Sequence, residues 1–114
     1  MKSPRPGSTS LDARALFCHA RAEIAAGRFA EAEATLRQSP RLDPDFACSY
    51  NALGVALQRQ SRLPEARAAF EQARKLTPNW ALPPLQIANL LIAANEPARA
   101  LPFLADATRL SPRP

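Results

Sequence analysis

An all-α solenoid of three helix–turn–helix repeats, six helices in all, is the fold this sequence predicts, and three observations predict it. The first is a period of 34 residues: Ala20, Ala32, Leu36, Ser39 and Pro44 recur as Gly54, Ala66, Phe70, Ala73 and Pro78, then as Ala88, Ala100, Leu104, Ala107 and Pro112. The second is composition. Three glycines and one tyrosine leave little material for strands and hairpins, whereas alanine, leucine and arginine, all good helix formers, dominate. The third is the placing of the 12 prolines, almost all in the terminal tail or at expected helix starts, where a missing N–H costs nothing. At 114 residues and 46% apolar content, the chain suits one domain with a continuous core and leaves no room for a separate catalytic domain.

Each element follows in order. Residues 1–10 read as a disordered leader, because Pro4, Pro6, Gly7 and the Ser-Thr-Ser run offer nothing to bury. Residues 11–114 form the helical domain, with repeats at about 13–46, 47–80 and 81–114. The first helix should run from Leu11 to Ala26, with Ser10 as cap and Asp12 in the first turn, until Gly27 closes it. The second starts near Phe29, carries Ala32, Leu36 and Ser39 on one face, and stops at Pro40. Asp43 should cap the third helix and Pro44 should enter its first turn. Its inner stripe is Tyr50, Leu53, Gly54 and Leu57, and it ends near Gln60. Pro64 and Glu65 open the fourth, striped by Ala66, Phe70, Ala73 and Leu76. A linker begins at Thr77 or Asn79. The fifth helix tolerates Pro83 and Pro84 only in its first turn and runs to about Ala94, and the sixth spans Pro97 to Arg109. Small residues should let paired helices approach, Gly54 opposite Ala66 and Ala88 opposite Ala100, with Phe70 and Leu104 filling the space beside them.

The middle repeat, with Tyr50, Leu53-Gly54, Leu57, Ala66, Phe70, Ala73 and Pro78, resembles the tetratricopeptide repeat at almost every signature position. Departures are local: His19 stands where the family usually has leucine, Glu23 where it prefers an apolar residue, Ser39-Pro40 where it has a small residue, and Pro84 where it often has tryptophan. The resemblance implies a right-handed superhelix whose concave face, lined by the first helix of each repeat, binds an extended peptide or a helix of a partner. The implied groove residues are Arg14, Phe17, Cys18 and Arg21, then Cys48, Asn51, Ala52, Val55, Gln58 and Arg59, then Leu82, Leu85, Gln86, Asn89 and Ile92. That mixture of arginines, amides and apolar side chains suits a ligand with acidic and apolar groups. One subgroup of the family grips chaperone C-termini with a clamp of lysines, asparagines and an arginine. The matching positions here hold Phe17, Arg21, Ala52, Leu82 and Gln86, so most donors are missing and that ligand is disfavoured.

Other chemistry finds little support. No phosphate-binding glycine loop, paired-carboxylate constellation or Ser-His-Asp arrangement is present, so neither enzymatic activity nor a cofactor or metal is expected. His19, the one histidine, lacks an evident carboxylate partner or second ligand and is expected to be a buried or half-buried structural residue. Cys18 and Cys48 form no Cys-x-x-Cys pair and read as small, inert, reduced side chains that could lie near each other on neighbouring first helices. The net charge of +5 comes largely from arginine, 13 of 15 basic residues. These are scattered among glutamates such as Glu31, Glu33, Glu65 and Glu71, so a nucleic-acid interface ranks third. Trp80 is expected to pack over the next helix start, with a groove-rim anchor as the alternative. Neither a signal-peptide pattern nor a membrane-spanning run occurs, which makes a cytoplasmic protein the expectation.

The last helix raises a question of cover. Ser111-Pro112 repeats the signal that opens an earlier repeat, yet no seventh helix follows in this sequence, so Leu101, Leu104, Ala105 and Thr108 should be partly uncovered. The expected uses are a homodimer through this helix or continuation into a longer polypeptide. The leading functional expectation is a non-enzymatic adaptor for a protein segment. The rival is the repeat leader of a larger bacterial enzyme of sulfotransferase or glycosyltransferase type.

Overall fold

A computed structural model describes residues 6–38 and 45–110, with side chains from Ala13 onward. Its described elements are α1 (Pro6–Ala25), α2 (Phe29–Arg37), α3 (Ala47–Arg59), α4 (Leu63–Leu76), α5 (Leu82–Ala93) and α6 (Pro97–Leu110). The helices pair as α1 with α2, α3 with α4 and α5 with α6, and the pairs stack through α2 on α3, α4 on α5 and α1 on α3. The result is an elongated body of 56 × 29 × 24 Å. Two boundaries differ from expectation. Helix α1 begins at Pro6, so residues 6–10 of the expected leader are helical: proline is preorganised for a helix's first position, and Ser10 is an interior residue and not a cap. Helix α3 begins at Ala47 behind Phe46, which adopts φ −83° and ψ 90° at the cap position. Asp43 and Pro44, the expected cap and first-turn residues, lie outside the described residues, as do Met1–Arg5, Ser39-Pro40 and Ser111–Pro114.

The turn inside each repeat shows the period in backbone geometry. Gly27, Ser61 and Asn95, spaced by one repeat length, adopt φ of 82°, 63° and 66°. At each turn an N–H one residue later bonds a carbonyl five residues back: Arg28 to Glu23 at 2.8 Å, Arg62 to Leu57 at 3.0 Å, Glu96 to Leu91 at 2.8 Å. Gly27, Ser61 and Asn95 themselves donate to Ile24, Gln58 and Ile92. This paired pattern is the Schellman motif, which satisfies the last carbonyls of a helix and requires a left-handed residue. Sequence reading found it only at Gly27. An i,i+3 ion pair opens each second helix in the same register, Arg28–Glu31, Arg62–Glu65 and, with signs exchanged, Glu96–Arg99.

Burial follows the same register. Ala20, Ala32, Ala66, Phe70, Ala88 and Ala100 are fully enclosed, and Leu36, Leu57 and Leu91 nearly so. The helices of the middle repeat approach so closely that a Cβ on Gly54 would sit 2.6 and 2.7 Å from Phe70 Cδ1 and Cζ. The residue opposite Gly54 is thus Phe70, with Ala66 one turn away. In the first repeat, Glu23 occupies the position of Leu57 and Leu91. Its Oε1 accepts a hydrogen bond from buried Thr35 at 2.8 Å, so a polar pair stands where the other repeats use apolar contact.

Charged clasps join the repeats along the second helices. Glu33 on α2 accepts from Arg37 (2.7 Å) and, across the repeat boundary, from Arg62 (2.7 Å) and Gln60 (3.1 Å). Arg74 on α4 reaches Asp106 on α6 at 2.6 Å, and with Arg67 it flanks the Phe103 ring at 5.2 and 5.6 Å. Partial burial alone would raise the Glu33 pKa, but these three donors more than offset it and hold the carboxyl below its ordinary value.

Gly54→Ala should destabilise the chain by about 1–3 kcal/mol in a denaturant titration, and Phe70→Leu in the same chain should recover part of the loss, because the ring is what the new methyl meets. Ser61→Gly should instead raise stability by roughly 0.5–1 kcal/mol, as it removes a left-handed strain that Gly27 does not carry. The Glu33 contribution is present above the ordinary carboxylate pKa and is lost as pH falls through the lowered folded value. Glu33→Gln should therefore cost about 1–2 kcal/mol near neutrality, and the difference from the parent should close in acid.

Candidate functional site

The first helices of the repeats leave a concavity of about 400 Å³ lined by Phe17, Arg21, Ile24 and Ala25 of α1, Cys48, Asn51, Ala52 and Val55 of α3, Trp80 of the linker and Leu82 of α5. Its composition follows from the repeat. Each first helix turns one stripe toward its partner helix, Leu53 and Leu57 in α3, and leaves the opposite stripe to face the hollow. The walls are largely apolar, with Arg21 and Asn51 as the polar exceptions. Trp80 and Leu82 also line a second depression with Asn79, Ala81, Leu85, Ala107 and Leu110, so one apolar surface continues from α1 to α6. Trp80 therefore sits on the rim, the alternative to its expected purely packing role.

Among the residues proposed from sequence, Phe17, Arg21, Asn51 and Val55 meet in the concavity, joined by Cys48, Ala52 and Leu82. Leu85 lies in the second depression and is 39% exposed. Gln58 and Gln86 are half-buried, and Asn89 and Arg59 are exposed, outside the hollow's lining. Arg14 stands at its far edge over the Phe46 ring at 5.9 Å, and Arg59 over Phe29 at 6.0 Å. Phe46 meets Phe17 edge to face at 5.6 Å, and Arg21 lies 5.7 Å over Phe17, so Arg14, Phe46, Phe17 and Arg21 form one ladder of two rings between two charges. Sequence reading missed Ile24, Ala25 and Phe46. Their signal was present in helical spacing for Ile24 and Ala25, one and two turns from Phe17 and Arg21, but absent for Phe46, which works from a cap.

His19 departs from expectation. It is exposed, and its Nε2 lies 3.4 Å from Glu23 Oε2 one turn along the helix. The carboxylate overlooked in the sequence is that i+4 neighbour. Cys18 is exposed and Cys48 half-buried, both as free thiols, and Cys48 alone lines the concavity. No group of three or more metal-ligating side chains occurs among the described residues, and no described helix is long and apolar enough to cross a membrane.

The distribution of ion pairs separates the two faces. Arg28, Arg37, Arg62, Arg67, Arg74, Arg99 and Arg109 each have an Asp or Glu partner. Arg14, Arg21 and Arg59, on the first helices, have no carboxylate partner among the described residues and rest on aromatic rings instead. The arginines singled out from sequence are the same three.

Helix pairs recurring in register, joined by matching turns and hollowed along their first helices, define an all-α helical-repeat solenoid. Residues 47–80 match the family model described as Tetratricopeptide repeat. No curated protein is significantly similar in sequence. Solved structures show the same fold. The TPR2B domain of yeast Sti1 in complex with pHsp70 aligns at TM-score 0.84 with 23% identity, over 88% of this chain and 80% of that one. The Yersinia enterocolitica type III secretion translocator chaperone SycD aligns at 0.83 with 20% identity, over 86% and 74%. The O-GlcNAc transferase of Thermobaculum terrenum aligns at 0.83 with 22% identity over 97% of this chain, which spans only 21% of that longer protein.

Proposed function

We propose that this chain is a non-enzymatic adaptor module that holds an acidic, apolar segment of a partner protein against its first-helix face. The observation that carries the reading is the charge partition. A mixed-sign surface on the second helices neutralises itself, whereas Arg14 and Arg21 flank an apolar hollow with no carboxylate partner among the described residues. Stacking on Phe46 and Phe17 restricts these guanidiniums, which lowers the entropy cost of pairing with an incoming carboxylate. The match of residues 47–80 to the tetratricopeptide model supports a protein partner, and two neighbours were solved with peptides or proteins named in their descriptions: pHsp70 for Sti1 and a peptide of the translocator YopD for SycD. Those ligands are not carried over, since Phe17, Ala52 and Leu82 occupy clamp positions where a chaperone tail would need donors. The cytoplasm is the proposed compartment.

A second reading concerns the outer face of α6. Leu101 is 63% exposed, which favours either self-association or a neighbouring segment in a longer protein, as in the Thermobaculum transferase. Light scattering separates the two: a concentration-dependent dimer abolished by Leu101→Glu, with helicity intact, supports self-association, and a monomer at every concentration removes it.

Binding should be tested by titrating labelled dodecapeptides that alternate apolar and acidic residues, with sequence-matched basic peptides and a single-stranded oligonucleotide as competitors. The acidic set should bind, weaken with rising ionic strength, and lose roughly tenfold or more in affinity on Arg21→Glu. Tighter binding of the oligonucleotide, or no binding of any acidic peptide, would remove the reading.

A further inference from the structure

The outer face of α6 breaks the charge pattern that the preceding second helices keep. One repeat length apart, Glu33, Arg67 and Leu101 share a position, as do Arg37, Glu71 and Ala105, and Arg74 and Thr108. In α2 and α4 these positions carry the clasps between repeats. Glu33 takes Arg62 of the next repeat at 2.7 Å, Arg74 takes Asp106 at 2.6 Å, and Arg67 lies over the Phe103 ring at 5.6 Å. In α6 the three positions are uncharged, and Leu101, Ala105 and Thr108 are exposed in one stripe with Ala98 and Pro102. A further repeat of the same kind would find no clasp there. Nor would a second copy stacked head to tail, since it would bring Ala26 and Arg28 to the places of Gln60 and Arg62, and Leu101 offers Arg28 no carboxylate.

We propose that this stripe pairs with the same stripe of a second copy, the two α6 helices running antiparallel about a two-fold axis. This rests on the second reading above and commits it to self-association in a stated register. In a two-fold interface, if residue i meets residue j, then j meets i. An antiparallel register centred between Leu101 and Ala105 meets that demand with a good fit. Leu101 falls against Ala105 of the second copy, and Ala105 against its Leu101, so a large residue meets a small one twice, with Ala98 facing Thr108 at either end. Parallel pairing would set Leu101 on Leu101 and Arg109 on Arg109, with the helix dipoles aligned against each other. The antiparallel arrangement carries Arg109 to the start of the other helix, beside Glu96. Pro102 supplies an independent polar reason. It lacks the N–H that would bond the Ala98 carbonyl one turn back, and the Thr108 hydroxyl of the second copy stands opposite as a donor. The hollow is lined by α1, α3, the linker and the start of α5, so pairing through α6 leaves it open. The dimer therefore carries two hollows and suits a partner with two binding segments.

The test is sedimentation equilibrium of the full chain and its variants over one concentration series. The parent should form a dimer. Leu101→Ala leaves a gap between the helices and Ala105→Leu sets leucine against leucine, so each should raise the dissociation constant roughly tenfold or more. Leu101→Ala combined with Ala105→Leu exchanges the large and small residues and rebuilds the same fit on both sides of the axis. The double variant should therefore return to within about threefold of the parent. Alanine and leucine are both strong helix formers and both positions are exposed, so circular dichroism should show every variant folded. Thr108→Val should weaken the dimer, and weaken it less beside Pro102→Ala, which restores the N–H to the Ala98 carbonyl. A dimer indifferent to both single changes, or single losses that accumulate in the double variant, would overturn the register and leave self-association standing. A parent chain monomeric at every concentration would remove both, the result expected of a stripe covered by another segment of a longer polypeptide. Peptide binding in the hollow is a separate readout, and none of these outcomes alters the adaptor reading.

Discussion

Everything in this solenoid depends on how closely the two helices of a repeat approach, and Gly54 against Phe70 sets that distance. With no side chain on α3 at the crossing, the aromatic ring of α4 lies directly on its backbone, and Leu53 and Leu57 close around it. Ala20 and Ala88 are the corresponding small residues of the flanking repeats, met by Leu36 and Leu104. The second helices are thereby drawn to one side and the first helices to the other. A hollow along the first helices is a geometric consequence of that crossing, repeated, and it exists whatever side chains line it.

The two sides have been given different electrostatics. On the second helices three carboxylates each serve two cations: Glu33 joins Arg37 to Arg62, Glu71 joins Arg67 to Arg74, and Asp106 joins Arg74 to Arg109. Two of these links cross repeat boundaries, so they reinforce a stack that apolar contact alone would leave free to slide. Exposed pairs of this kind contribute little singly, and their value lies in shared, partly buried acceptors. No such partners were supplied to Arg14, Arg21 and Arg59. Their positive charge is stored over aromatic faces, a weaker compensation that an external carboxylate can add to without breaking an existing ion pair.

How much of this the sequence disclosed depends on whether a feature repeats. The small and large core positions recur, so the six helices and the core from Ala20 to Ala107 were legible, whereas the starts of α1 and α3, which do not repeat, were misplaced by several residues. Gly27 announced its left-handed turn because glycine is common there. Ser61 and Asn95 did not, although their place one repeat length from Gly27 was sufficient, had the turn been carried through the period as the core was. Phe17, Arg21, Asn51 and Val55 were implied by the resemblance to the tetratricopeptide repeat, and the structure brings them together in the hollow. Phe46 and the exposed setting of His19 were not legible. The first depends on where the chain enters α3, and the second on a neighbour, Glu23, whose other oxygen is engaged by a residue of α2.

The departures from the repeat are therefore of two kinds, and the difference decides where function is sought. Glu23 breaks the apolar pattern but brings its own partner, Thr35, so the cost of a buried carboxylate is met inside the repeat and no external group is required. Asn51 also breaks the pattern, between Phe17 and Leu85, and brings no partner for its carbonyl. The polar residue of the first repeat is satisfied inside it, and that of the second has no partner for its carbonyl among the described residues. That position faces the hollow, beside a cation without a counterion. The adaptor proposal rests on these groups, which the described residues leave unpaired beside an apolar hollow.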